Sequence, residues 1–125
     1  MKTISYKLKI LLLVMFIGLS FSCKKEHNSP KPQPSPFSAS IEGAPATIPA
    51  AGGKIDILIT AGTDGWWITS PQINWLTITR MYGSGDFKLP VTVKENTSGV
   101  ARVISIKVNP TFNLPAVTFN ITQDK

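Results

Sequence analysis

Hydrophobic and polar residues alternate with a period of two along most of the chain beyond residue 50. Ile55, Ile57 and Ile59 stand between Asp56, Leu58 and Thr60, and Leu89, Val91 and Val93 between Lys88, Pro90, Thr92 and Lys94. Ile104, Ile106 and Val108 share one side of residues 102–108, and Val117, Phe119 and Ile121 alternate with Thr118, Asn120 and Thr122. Alternation of this kind puts successive side chains on opposite faces of a strand. Residues 66–69, residues 75–79 and a short piece around Thr47–Pro49 complete seven predicted strands. The connections between them are rich in Gly, Pro, Asn, Ser and Asp, as turns require. Seven short strands at this spacing predict an all-β fold, an antiparallel β-sandwich of about seven strands. Pro90, inside a strand run, points to a sheet edge or a bulge.

The first 22 residues have a different pattern. Lys2, Lys7 and Lys9 precede an apolar run, Ile10 to Leu19, and Ser22 stands just before Cys23. A basic start, a short apolar core and a small residue at the cut are the marks of a secretory signal. The run falls well short of the roughly 20 residues that span a bilayer as a helix. Cys23 is the only cysteine, placed where a lipid-transferring system would use it, so a lipoprotein signal peptide over 1–22 and lipidation of Cys23 are expected. Ser20 and Phe21 stand where the bacterial lipobox usually has Leu and a small residue, a departure from that pattern. Residues 23–37 follow as a tether with Pro30, Pro32, Pro34 and Pro36, which favour extended chain, and 38–125 are the folded domain. The expected location is the outer membrane, on the cell-surface or periplasmic face, with the membrane as a partner through the lipid on Cys23.

Charge and chemistry narrow the function. The net charge of +6 falls mostly on the signal and tether; from Ser38 onward there are seven basic and six acidic residues. The domain is thus close to neutral and has no electrostatic footprint for nucleic acid. The one histidine, His27, lies in the tether, so no Ser-His or Cys-His pair can form in the domain. There is no metal-ligand spacing and no phosphate-binding glycine loop. No enzyme, no metal and no cofactor are expected.

The aromatic residues carry the remaining signal. Trp66 shares a face with Ile68 and is expected in the core, whereas Trp67 shares a face with Thr69 and is expected outside. Trp75 begins its strand and is expected to cover the end of the core. If every strand reverses direction, loops 61–65, 80–87 and 109–116 gather at one end. That end carries Tyr82 and Phe112 and adjoins Trp67, with Asp64, Asp86 and Asn113 available for hydrogen bonds. Trp67, Tyr82, Phe112, Asp64, Asp86 and Asn113 are therefore the candidate ligand-binding residues. Asn96 and Gln123 read as turn and backbone partners, and Arg102 as a partner for a nearby Asp or Glu.

Taken in order, Pro49-Ala50-Ala51-Gly52-Gly53, the tryptophan strand ending in Ile68, and Trp75-Leu76-Thr77-Ile78 resemble the BACON domain. So do Val91 to Asn96, Arg102 with Ile104-Ser105-Ile106, and Phe119 to Gln123. The resemblance runs over roughly residues 45–124. It implies an immunoglobulin-like sandwich in surface or periplasmic proteins of Bacteroidetes, and a role in binding carbohydrate, host or dietary glycan, with mucin among the candidates. The alternative is a non-catalytic spacer, or a protein-interaction subunit of an envelope assembly.

Overall fold

A computed structural model describes residues 29–43 and 47–125. The signal segment 1–22, Cys23 and His27 lie outside the described residues. The chain divides into a unit of residues 1–32 and a unit of residues 33–125, and the second holds every strand described. Among the described residues there are nine strands and no helix.

The predicted alternation sets the two layers. One sheet has four strands in the order β1 (Ser38–Glu42), β3 (Gly53–Thr60), β7 (Phe87–Val93), β5 (Leu76–Ile78). The other has five, in the order β2 (Thr47–Ile48), β9 (Val117–Gln123), β8 (Arg102–Pro110), β4 (Gly65–Thr69), β6 (Tyr82–Ser84). Ile57, Ile59, Leu89, Val91 and Val93 from the first sheet meet Trp66, Ile68, Ile104, Ile106, Val108 and Ile121 from the second, all buried. Two half-apolar sheets must bury those faces against each other, and the sandwich core results.

The fold class is the one the sequence predicts, with three differences in detail. β1 and β6 are additional strands. β1 turns only Ala39 and Ile41 toward the core. β6 turns in Gly83, whose missing side chain leaves room for the Trp66 ring: a Cβ there would lie 2.5 Å from a ring carbon. Pairing is antiparallel except for β2 against β9, which is parallel. Pro90 sits in β7, between β3 and β5 in sheet order, but the β5 ladder ends at Ile78↔Val91, one residue short of it. Its missing N–H therefore faces the open continuation of a short edge strand, where proline is tolerated.

The end of the sandwich that gathers 50–53, 94–102 and 123–124 is closed by a buried polar network. Gln123, fully buried, donates from Nε2 to the carbonyls of Lys94 (2.9 Å), Pro49 (3.2 Å) and Ala50 (3.3 Å). Its Oε1 accepts from Arg102 Nε at 2.8 Å. The Arg102 guanidinium also donates to the Lys94 and Glu95 carbonyls and lies 3.6 Å from the Trp75 ring centre. Arg102 thus takes carbonyls, an amide and an aromatic face in place of the expected carboxylate, and Trp75 covers the core's end beneath it. Asn96 Nδ2 donates to the Val100 and Asp124 carbonyls, each at 2.7 Å, while its Oδ1 accepts from Ser98. Gly52, at φ +85°, approaches the Val93 carbonyl so closely that a Cβ would stand 2.5 Å from it.

Removing one member of a buried network leaves the others unpaired, which costs more than the bond itself contributes. Gln123→Leu is expected to lower unfolding free energy by about 3 kcal/mol, read from the denaturant midpoint. A midpoint equal to the parent's would show that the network contributes little.

Candidate functional site

The dipeptide Trp66-Trp67 puts one ring in the core and the other on the outer face of the five-stranded sheet. Trp66 is 1% exposed and Trp67 45% exposed. The inner indole packs against Phe87, with ring centres 5.6 Å apart, and donates from Nε1 to the Gly85 carbonyl at 3.0 Å. The same ring lies against Gly83, so it holds β6 and its connection to β7 from beneath. That hold brings β6 into register with β4, Trp67 opposite Tyr82 and Gly65 opposite Ser84. Directly opposed residues on one face have Cβ atoms about 5 Å apart. Two large exposed aromatics, Trp67 and the 78% exposed Tyr82, are therefore neighbours on the open face of the five-stranded sheet.

The register extends this pair into a row. Trp67 faces Asn109 of β8 on its other side, and the next outward row is Thr69 with Lys107, continued by Thr118 of β9. Asn109 donates from Nδ2 to Thr69 Oγ1 at 3.0 Å and to the Trp67 carbonyl at 3.2 Å, bracing the strand that displays Trp67. Sequence reasoning missed Asn109, Thr69 and Lys107, because only pairing between distant strands places them beside the aromatics.

The other candidates fall at the adjoining corner. Asp86 Oδ1 accepts from the Ala61 and Gly62 backbone N–H groups at 2.8 and 2.9 Å. These two donors, Ala61 foremost, hold its carboxyl below the usual carboxylate range. The Asp64 carboxylate accepts from the Ser35 backbone N–H, and its carbonyl accepts from Gly85 N at 2.9 Å. Both acids thus tie loops together. Thr111 N donates to the Gly65 carbonyl at 3.1 Å, which sets the 40% exposed Phe112 and the exposed Asn113 beside the start of β4. The structure brings Trp67 and Tyr82 directly together, with Tyr82 on a strand and not in a loop. Phe112 and Asn113 follow Thr111 beside the start of β4, whereas Asp64 and Asp86 turn their carboxylates to the backbone of Ser35 and of Ala61 and Gly62.

The two outer faces differ in chemistry. On the four-stranded sheet Lys88 bridges Glu42 and Asp56, whose carboxylates, Glu42 first, hold its ammonium above the usual lysine range. The outward strand positions of the five-stranded sheet carry hydroxyls, amides, the aromatic pair, one exposed aliphatic, Val103, and one cation, Lys107, with no acid. Among the described residues no group of three or more His, Cys, Asp or Glu could hold a metal ion, and no helix is long and apolar enough to cross a membrane.

The family model described as "Putative binding domain, N-terminal", BACON, matches residues 65–124. Residues 65–124 belong to the BACON family. The match runs from β4 through β9, starting later than the resemblance read from the sequence, and it takes in both tryptophans of β4, Tyr82 and the Arg102–Gln123 network. No curated protein matches the chain. Among solved structures it is similar to the Bacteroides ovatus GH5 xyloglucanase in complex with a XXXG heptasaccharide. That likeness has a TM-score of 0.57 and 21% identity, over 70% of this chain and 19% of that one. It is also similar to WR4, a C. elegans MSP family member, at a TM-score of 0.43 and 16% identity, covering 69% of this chain and 95% of that one. The chain spans about a fifth of the xyloglucanase, and the likeness is one of fold.

The Asp86 contacts carry a pH dependence. A carboxyl held low in the folded state stabilises above its unfolded value of about 4 and loses that contribution as pH falls through the folded value. Asp86→Asn is expected to lower the thermal midpoint at pH 7 and to flatten its decline below about pH 4. An acid limb identical to the parent's would remove Asp86 from the account.

Proposed function

We propose that the BACON domain of this chain binds carbohydrate through the open face of the five-stranded sheet, with Trp67 and Tyr82 as the stacking platform. The observation that carries this reading is the cross-strand register of two exposed aromatic rings on a face without carboxylates. A pyranose ring has an apolar C–H face and a rim of hydroxyls. The aromatic pair offers the first a flat apolar partner, and the exposed Thr69 and Thr118 offer the second short polar side chains in the adjacent row. Phe112 and Asn113 extend the surface toward the corner, and Asp64 and Asp86 keep that corner in place. The fold it shares with a region of a xyloglucanase, and the family's description as a binding domain, agree with this reading. The chemistry fits a contact module and not an enzyme.

In the same reading residues 1–22 are a lipoprotein signal, Cys23 carries the lipid, and the domain is held at the outer membrane by the proline tether. More than one acyl chain anchors stably. A second reading, an envelope spacer or protein-interaction subunit, is favoured by Val100 and Val103, 67% and 65% exposed near the closed end of the sandwich. It predicts a crosslinked protein partner at Val103 and no glycan retention.

Electrophoresis of the full chain through gels cast with xyloglucan, mixed-linkage β-glucan or mucin is expected to show retardation in at least one gel. Trp67→Ala should weaken that retention roughly tenfold, the effect of losing an aromatic anchor, at an unchanged denaturant midpoint. Equal mobility in every gel would reject carbohydrate binding. Cys23→Ser is expected to move the protein from the membrane fraction to the soluble fraction, and continued membrane association would reject the lipid anchor.

A further inference from the structure

The aromatic pair stands at the lip of a longer opening. Both sheets end on the same side in three-residue edge strands, β5 and β6, joined by residues 79–81. Two grooves occupy that side. One, of about 770 Å³ and open to solvent, is lined by residues 79–84 and includes Tyr82. The other, of about 230 Å³, lies between residues 70–73 and the β5 strand. They meet at Met81, whose carbonyl accepts from Ile68 N at 2.7 Å and so fixes the junction to β4.

We infer that this seam is the continuation of the Trp67–Tyr82 platform, and that the ligand is an internal stretch of a glycan chain and not a single terminal sugar. The inference rests on the carbohydrate reading of that platform and specifies its substrate class. The lining has the two-sided character of a glycan. Ile73, Leu76, Ile78 and Met81, half-buried and packed on the core, form an aliphatic floor. Gln72, Thr77, Thr79 and Ser84, all exposed, supply amide and hydroxyl groups along the rim. Neither groove is lined by a carboxylate, and Arg80 is the only charged group; its guanidinium lies 4.5 Å from the Phe87 ring centre. An uncharged, hydroxyl-rich chain meets no unpaired buried charge there.

The same geometry disfavours an extended peptide. Strand addition draws its affinity from main-chain hydrogen bonds along a sheet edge. β5 and β6 are three residues each, and they belong to different sheets. Packed sheets stand about 10 Å apart, so a peptide paired to one edge cannot pair to the other. A glycan needs no such ladder, since its contacts are stacking and side-chain hydrogen bonds.

The test is chain length. Affinity of the full chain is measured by titration calorimetry for cello-, xylo-, manno- and malto-oligosaccharides from two to eight units, for the XXXG heptasaccharide, and for their polymers and mucin glycopeptides. For whichever series binds, affinity is expected to rise at least tenfold from the disaccharide to the hexasaccharide and then to level off. A Gln72→Ala/Thr77→Ala double variant should lower affinity for the long chains severalfold and leave the disaccharide unchanged. Trp67→Ala should weaken both. Affinity already saturated at a mono- or disaccharide, with Trp67 still required, would overturn the seam and leave the platform standing. Binding to no series at all would overturn both.

Discussion

The buried indole of Trp66 is the contact on which the candidate surface depends. It fills the space that Gly83 leaves open, donates to the Gly85 carbonyl, and lies tilted against Phe87, itself covered by Arg80. Each of these contacts draws a different piece of the β5–β7 segment toward β4. A two-sheet sandwich must close its open side with something, and here a single large side chain does it by gripping a backbone that carries no side chain of its own. The surface consequence follows from strand geometry: if residue 66 points in, residue 67 points out, and the strand that Trp66 holds supplies Tyr82 as its neighbour. Core packing and the proposed ligand display are thus two faces of one dipeptide.

The opposite end is ordered by polar contacts. Gln123 and Arg102 bond each other and the carbonyls of neighbouring loops, Arg102 lies over Trp75, and Asn96 ties the Val100 and Asp124 carbonyls beside them; buried amides of this kind specify a unique arrangement because the partly paired alternatives are costly. These residues are also among those that carry the family resemblance. The motif at this end therefore reports how the sandwich is closed, and the proposed binding surface lies on the open face, where the register of Trp67 with Tyr82 sets it. The family match over residues 65–124 and the location of a ligand site are separate statements.

Much of the fold was legible because β3, β7, β8 and β9 alternate cleanly between large aliphatic and polar residues. β6 was not legible, because its one inward residue is a glycine and its signal is the absence of a side chain opposite a tryptophan. β1 was obscured in the same way by a small inward Ala39. The orientations of Trp66 and Trp67 could be read from Ile68 and Thr69 in the same strand. Their relation to Tyr82 could not be read in detail: strand reversal alone places them at a common end, whereas the row Tyr82–Trp67–Asn109 comes from register between strands 15 to 42 residues apart in the chain. Arg102 was expected to find a carboxylate, yet Gln123, two carbonyls and the Trp75 face lie nearer. Asp64 and Asp86 showed only as polar residues near the aromatics, and their backbone partners belong to loops distant in sequence.

The most direct measurement is the response of the three tryptophan indole N–H resonances to added oligosaccharide. Trp67 is exposed, Trp66 is buried with its N–H bonded to Gly85, and Trp75 lies under Arg102 at the other end, so one spectrum separates the three regions. The account predicts a saturable shift at Trp67, with Trp66 following weakly and Trp75 unchanged. A shift confined to Trp75, or no shift with any glycan, would contradict it.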